Sequence, residues 1–137
     1  MIVILGGGPA GRLASIRLAS AGKQVTLVER GGIGGQCLHS GCMPVCALND
    51  VARLIHSARE LRDLGVVDSV PAPEFPVLLK KMGEIQQKIA SILDEETRSA
   101  GVEIIYGRTG RLAGGVAYAG DELLKAEAVI AATGSRP

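Results

Sequence analysis

The sequence of 137 residues contains no tryptophan, a single phenylalanine (Phe75) and two tyrosines, Tyr106 and Tyr118. So few rings leave no platform on which bases could stack, and a nucleic-acid partner is not expected. Charge of one sign is lacking as well. Fifteen Lys and Arg stand against fourteen Asp and Glu, a net +1, so neither nucleic acid nor an anionic membrane is favoured electrostatically. No apolar run is long enough to cross a membrane, and the first one, residues 1–5, stops at three glycines rather than continuing as a signal peptide. A cytoplasmic location is expected. Cysteine is scarce, and Cys37, Cys42 and Cys46 crowd into ten positions. That is no secreted disulfide framework; in a reducing compartment such a cluster reads as redox-active or metal-binding.

What is abundant is glycine, with nineteen residues. Ile2-Val3-Ile4-Leu5 is a short apolar run, as expected of a strand buried on both faces of a parallel sheet. Gly6-Gly7-Gly8-Pro9-Ala10-Gly11 follows, a G-x-G-x-x-G with Pro9 at a helix start. The next helix runs to Ala21 and stops at Gly22; a second strand, Gln24 to Val28, ends at Glu29. In this setting Gly6 makes the tight turn, Gly8 lets the backbone approach a pyrophosphate and Gly11 lets helix pack on strand. The helix N-terminus adds free amides and a positive dipole end. Glu29, eighteen residues past Gly11, is placed to accept hydrogen bonds from an adenosine ribose, and its charge disfavours a 2′-phosphate. The fingerprint alone does not separate NAD from FAD.

Downstream, residues 43–63 read as a helix that starts near Cys42, with Pro44 in its first turn. Leu48, Val51, Ala52, Ile55 and Ala58 form its apolar face. Residues 65–76, with three prolines, read as a loop. A second long helix is expected over 77–99, and its stripe of Leu78, Met82, Ile85, Ile89, Ile92 and Leu93 reads as ordinary core. Residues 102–106 form a third strand, 110–125 suggest small antiparallel hairpins, and 126–132 form another buried strand that ends in Thr133-Gly134-Ser135-Arg136-Pro137.

Between the nucleotide fingerprint and the long helices stands Gly34-Gly35-Gln36-Cys37-Leu38-His39-Ser40-Gly41-Cys42-Met43-Pro44. Four residues separate Cys37 from Cys42, enough for the chain to loop back and bring the sulfurs together. Gly-Gly-x-Cys-x4-Cys-x-Pro after a dinucleotide fingerprint resembles the redox segment of the flavin-dependent pyridine nucleotide-disulfide oxidoreductases, the family of dihydrolipoamide dehydrogenase, glutathione reductase and mercuric reductase. Ala132-Thr133-Gly134-Ser135-Arg136-Pro137 is similar to the strand end of their FAD domain. The resemblance implies an α/β fold: a Rossmann-type FAD-binding domain with a small antiparallel β-meander, incomplete relative to the family. It implies that Gly6, Gly8, Pro9, Ala10, Gly11, Glu29 and Arg30 hold the ADP half of FAD, with Gly35, Gln36, Cys37, Thr133 and Gly134 along the cofactor. It further implies a redox pair, Cys37 exchanging with substrate and Cys42 facing the flavin, where a helix N-terminus favours thiolate.

Residues 1–137 would then be the N-terminal portion of an FAD/NAD(P)-binding domain, with NAD(P)H expected only in family segments that are absent here, as is the dimerisation domain. Without those segments the chain should bind FAD weakly and expose a sheet edge. A disulfide substrate, small molecule or protein, is the implied partner, with homo-oligomerisation or association with a complementary chain. The alternative function is a non-catalytic dinucleotide-binding module. The rival chemistry, a metal held by Cys37, His39, Cys42 and Cys46, has the wrong spacing for zinc and no second paired half. His39 reads as a loop residue beside the thiols and His56 as a surface residue. Two departures from the family stand out: Gln36 where Thr is usual, and Cys46 where a Lys is usual. Losing that cation removes a Coulomb term of about 3 kcal/mol at ~6 Å and an effective dielectric of ~20.

Overall fold

The computed structural model describes residues 1–135. Its elements in chain order are β1 (Ile2–Leu5), α1 (Pro9–Ser20), β2 (Val25–Glu29), α2 (Gly35–His39), α3 (Cys42–Asp63), α4 (Phe75–Ser99), β3 (Glu103–Tyr106), β4 (Gly110–Ala113), β5 (Val116–Ala119), β6 (Glu122–Leu124) and β7 (Ala128–Ala131). Four strands form a parallel sheet in the order β3-β2-β1-β7, and β4-β5-β6 form a separate antiparallel meander. The register aligns Leu5 with Val28 and with Ala131, and Glu29 with Tyr106. The C-terminal ends of all four parallel strands therefore share one rim, the edge at which sheets of this kind take ligands.

Side-chain alternation sorts the core into two halves. Val3, Leu5 and Val28 point to one face, where Ala117, Ala119 and Leu124 of the meander close over them. Ile4, Val25 and Leu27 point to the other, packed with Ala14, Leu18 and Ala19 of α1 and Leu93 of α4. Both faces are covered, which is why β1 reads as an unbroken apolar run. Ile4 and Leu27 are fully buried, each contributing about 1.5–3 kcal/mol by leaving water. The result is three layers: helices, parallel sheet and meander.

Two sequence expectations about α4 are corrected. The stretch 65–76 is not all loop: α4 begins at Phe75, because Pro76 sits in the first turn, where no intrahelical N–H is required. The α4 stripe is not ordinary core. Ile85 and Ile92 are about half exposed, Leu78, Met82, Ile89 and Leu93 are half-buried, and Thr97 is the helix's one buried residue. The cause is length: 25 residues of helix span ~37 Å, whereas strands of four residues cover only ~13 Å. The short helix α2, inside the cysteine segment, was not anticipated.

Where α4 does cross the sheet it is pinned by Arg12 of α1. The Arg12 Nε donates to Thr97 Oγ1 at 3.0 Å and to the Leu93 carbonyl at 3.3 Å, and its Nη2 pairs with Glu96. At the opposite side of the sheet β7, expected to be buried, is instead an edge strand with Ala128 and Ala131 exposed, because no further strand pairs with it among the described residues.

Candidate functional site

The site is built at the rim where β1, β2 and β7 end. The chain leaves β1 through Gly6, whose φ of +105° is open to glycine, and a Cβ there would lie 2.3 Å from the Ala132 carbonyl oxygen. Gly11, on the first turn of α1, faces back onto this turn; a Cβ would fall 1.9 Å from the Gly6 carbonyl oxygen. The helix therefore starts against the loop itself. Gly8 is the N-cap and Pro9 opens the helix. The amides of Ala10 and Gly11 consequently have no partner within the helix, and the first intrahelical bond runs from the Arg12 amide to the Gly8 carbonyl.

Glu29 is held at the end of β2 by two backbone amides. Gly7 N–H donates to its Oε2 at 2.5 Å and Gly31 N–H to its Oε1 at 2.7 Å. Each carboxylate oxygen retains a free lone pair, so the acid is fixed in place and still able to accept.

These elements enclose a cavity of about 500 Å³ lined by Gly6, Gly8, Pro9, Ala10, Glu29, Arg30, Gly35, Gln36, Cys37, Thr133 and Gly134, together with Ser40, Ala132 and Ser135. Every residue the sequence assigned to cofactor contact is at this wall except Gly11, which stands behind it as the packing glycine. Ser40, Ala132 and Ser135 were missed, although all three lie inside the quoted motifs. A second cavity of about 400 Å³ opens beyond Glu29 and adds Thr109 and Gly110, which no motif or spacing marks out. Arg136 and Pro137 of the last motif lie outside the described residues.

The residues fit a nucleotide diphosphate. The free amides and dipole of α1 suit its phosphates, Glu29 suits ribose hydroxyls, and the wall is narrow where Gly8 meets Gly35. A Cβ on Gly35 would come 2.7 Å from the Gly8 Cα, so backbone stands where side chains would otherwise exclude a ligand.

Cys37 sits on α2, at the cavity wall, and Cys42 is the first residue of α3. All three cysteines are free thiols; Cys37 is half-buried, whereas Cys42 and Cys46 are exposed. The Cys37 thiol is pushed above its ordinary pKa, first by its hydrogen bond with Cys42, then by desolvation and the nearby Cys42 and Cys46 charges. Cys37 thus holds its proton more tightly than an ordinary thiol. His39 is turned away from this chemistry: its Nε2 bonds the Ile33 carbonyl at 3.0 Å. Among the described residues no three His, Cys, Asp or Glu side chains form a metal-holding group, and no helix is long and apolar enough to cross a membrane.

Comparison with known proteins decides the family. The pyridine nucleotide-disulphide oxidoreductase model matches residues 1–137. The chain belongs to that family. It is 35% identical to dihydrolipoyl dehydrogenase 2 of Haloarcula marismortui over 99% of this chain and 30% of the relative. With dihydrolipoyl dehydrogenase of Bacillus subtilis it shares 32% identity over 99% of this chain and 31% of the relative. The crystal structure of LpdA from Mycobacterium tuberculosis superposes with a TM-score of 0.77 at 26% identity, covering 99% of this chain and 32% of LpdA. The chain thus spans about a third of the length of the relatives it matches, and its sheet, helices and meander are those of this oxidoreductase fold.

Proposed function

We propose that this chain is the FAD-binding and redox-disulfide portion of an NAD(P)H-dependent disulfide oxidoreductase similar to dihydrolipoyl dehydrogenase. One observation carries the reading: Cys37 lines the same cavity as the glycine loop and Glu29. A nucleotide seated on the loop therefore extends toward the thiol pair. FAD, when bound, supplies two-electron transfer to or from that pair; the isolated fold otherwise contributes binding and thiol chemistry.

The chain's own residues set the course of exchange. Cys37 lies on α2 and Cys42 opens α3, one short turn further along the chain. With the pair as dithiol, the Cys37 sulfur, once deprotonated, attacks a substrate disulfide, displacing one substrate thiol and forming a mixed disulfide. Cys42 then attacks the Cys37 sulfur and expels the second thiol. Two electrons pass to the substrate, which leaves as a dithiol, and Cys37–Cys42 becomes the disulfide. The Glu29 carboxylate selects a ribose without a 2′-phosphate, and Gly8 and Gly35 admit the diphosphate. A cytoplasmic location and partnership with a disulfide substrate belong to the same proposal.

Fluorescence titration of the chain with FAD, competed by ADP, tests this reading. FAD binding that ADP displaces is the expected result. Binding of ADP without any FAD binding would instead favour a nucleotide module with no redox role.

A further inference from the structure

The segment that carries the thiols is clamped at both ends. At its start, the Gly34 amide donates to the Gly7 carbonyl at 2.9 Å, tying it to the nucleotide loop. At its end stands Gln86, a half-buried residue of α4 that is remote in sequence. Its Nε2 donates to the Leu38 carbonyl at 2.7 Å and to the His39 carbonyl at 3.2 Å. A helix as short as α2 leaves its last carbonyls without helical partners, and the backbone amide of the C-cap Ser40 goes to the earlier Gln36 carbonyl at 3.0 Å. The Gln86 carboxamide nitrogen thus bridges two successive carbonyls at this helix end. The Leu38 side chain is buried beside it, and the Gly41 amide closes the turn onto the Gln36 carbonyl at 2.6 Å. From His39 the backbone has only Ser40 and Gly41 to cross before Cys42.

We infer that Gln86 is a positioning residue for the redox pair: by fixing the C-terminal end of α2 it sets the approach of Cys37 to Cys42 and so the equilibrium between dithiol and disulfide. The inference rests on the proposed redox role of the pair. Its physical content is effective concentration: two sulfurs on a braced loop meet more often than on a loose one, so the brace favours closure. Closure removes two electrons and two protons from the dithiol, which an added disulfide such as oxidised dithiothreitol accepts.

The test uses three replacements whose helix propensities match that of Gln. Gln86→Met keeps the length and loses both donors, Gln86→Glu keeps the shape and loses both donors, and Gln86→Lys retains donors. In a Cys46→Ser background, which leaves one possible pair, each chain is equilibrated with reduced and oxidised dithiothreitol, alkylated and weighed by mass spectrometry; urea unfolding is recorded in parallel. Loss of the brace should lower the closure constant about tenfold in the Met and Glu variants, equivalent to about 30 mV. The Lys variant should stay within about twofold of the parent. A purely structural role would move the urea midpoint and leave the closure constant of folded chains unchanged. Met and Glu variants that close like the parent would overturn the inference, as would a Lys variant that falls with them. A parent that forms no Cys37–Cys42 disulfide would overturn the redox reading itself, and this inference with it.

Discussion

Two glycines of the same fingerprint should fail in opposite ways when each is given a methyl group. At Gly11 the new carbon would lie 1.9 Å from the Gly6 carbonyl oxygen and 3.2 Å from the Ala132 Cβ. Carbon–oxygen contacts begin near ~3.3 Å, so α1 must retreat by about 1.4 Å from the end of β1. Neither neighbour is a flexible side-chain tip that could swing aside. Gly11→Ala is therefore expected to cost ~3 kcal/mol, the upper part of the range for overpacking, or about 12 °C at ~4 °C per kcal/mol for a domain of this size. At Gly8 the backbone is extended (φ −68°, ψ −179°), and a methyl meets nothing nearer than the Gly35 Cα at 3.9 Å. A weaker N-cap costs about 0.5–1 kcal/mol, and a stiffer unfolded chain returns about 0.4–1 kcal/mol. Stability should stay within ~0.5 kcal/mol. The same methyl stands at the narrow wall of the cavity, so ADP affinity should fall at least about tenfold. Urea unfolding and calorimetric ADP titration of both variants decide the matter. Equal destabilisation of the two, or a Gly8→Ala chain that binds ADP like the parent, would refute the division of roles.

Alkylation of Cys37 by iodoacetamide should follow a pH profile displaced above that of an ordinary thiol. Because the raised pKa favours the protonated form, its stabilising contribution is present below the ordinary thiol value and disappears as pH rises through the raised one. Cys42→Ala should bring the profile back down, and an unmoved profile would contradict the assigned cause. Cys46→Lys should strengthen the long-wavelength thiolate–flavin absorbance of the two-electron-reduced, FAD-loaded chain at neutral pH. The exposure of Cys46 reduces the charge effect to about 1 kcal/mol; an unchanged band would show that position 46 has no electrostatic influence on the pair. Arg12→Met should cost about 1–3 kcal/mol in urea unfolding, because it removes charged hydrogen bonds to Thr97 and Leu93. A smaller loss would show that α4 is held by apolar contact alone.

Much of this architecture is legible in the sequence because local chemistry and tertiary role coincide there. Residues 2–29 combine an apolar run, a Gly-Gly-Gly-Pro-Ala-Gly turn and an acid at a strand end, and each of these features has a single consistent placement. The hairpins of the meander announce themselves through Gly114-Gly115 and Gly120-Asp121. The α2 helix is hidden because Gly34 and Gly35 both take positive φ and read as turn. The stripe on α4 misleads because periodicity reports an apolar face and says nothing about how far the sheet extends beneath it. Gln86 is invisible for a different reason: its partners are backbone carbonyls, which leave no mark on the sequence. Thr109 and Gly110 join the rim of the site only because the meander folds over the sheet.

The central claim is that the nucleotide cavity and the Cys37–Cys42 pair act as one redox site. Anaerobic dithionite titration of the FAD-loaded chain, oxidised beforehand, tests it most directly. The account predicts an uptake of about four electrons per flavin, two by the flavin and two by the disulfide, falling to two in the Cys42→Ser variant. Uptake of two electrons by the unsubstituted chain, with Cys37 and Cys42 unchanged at the end point, would contradict it.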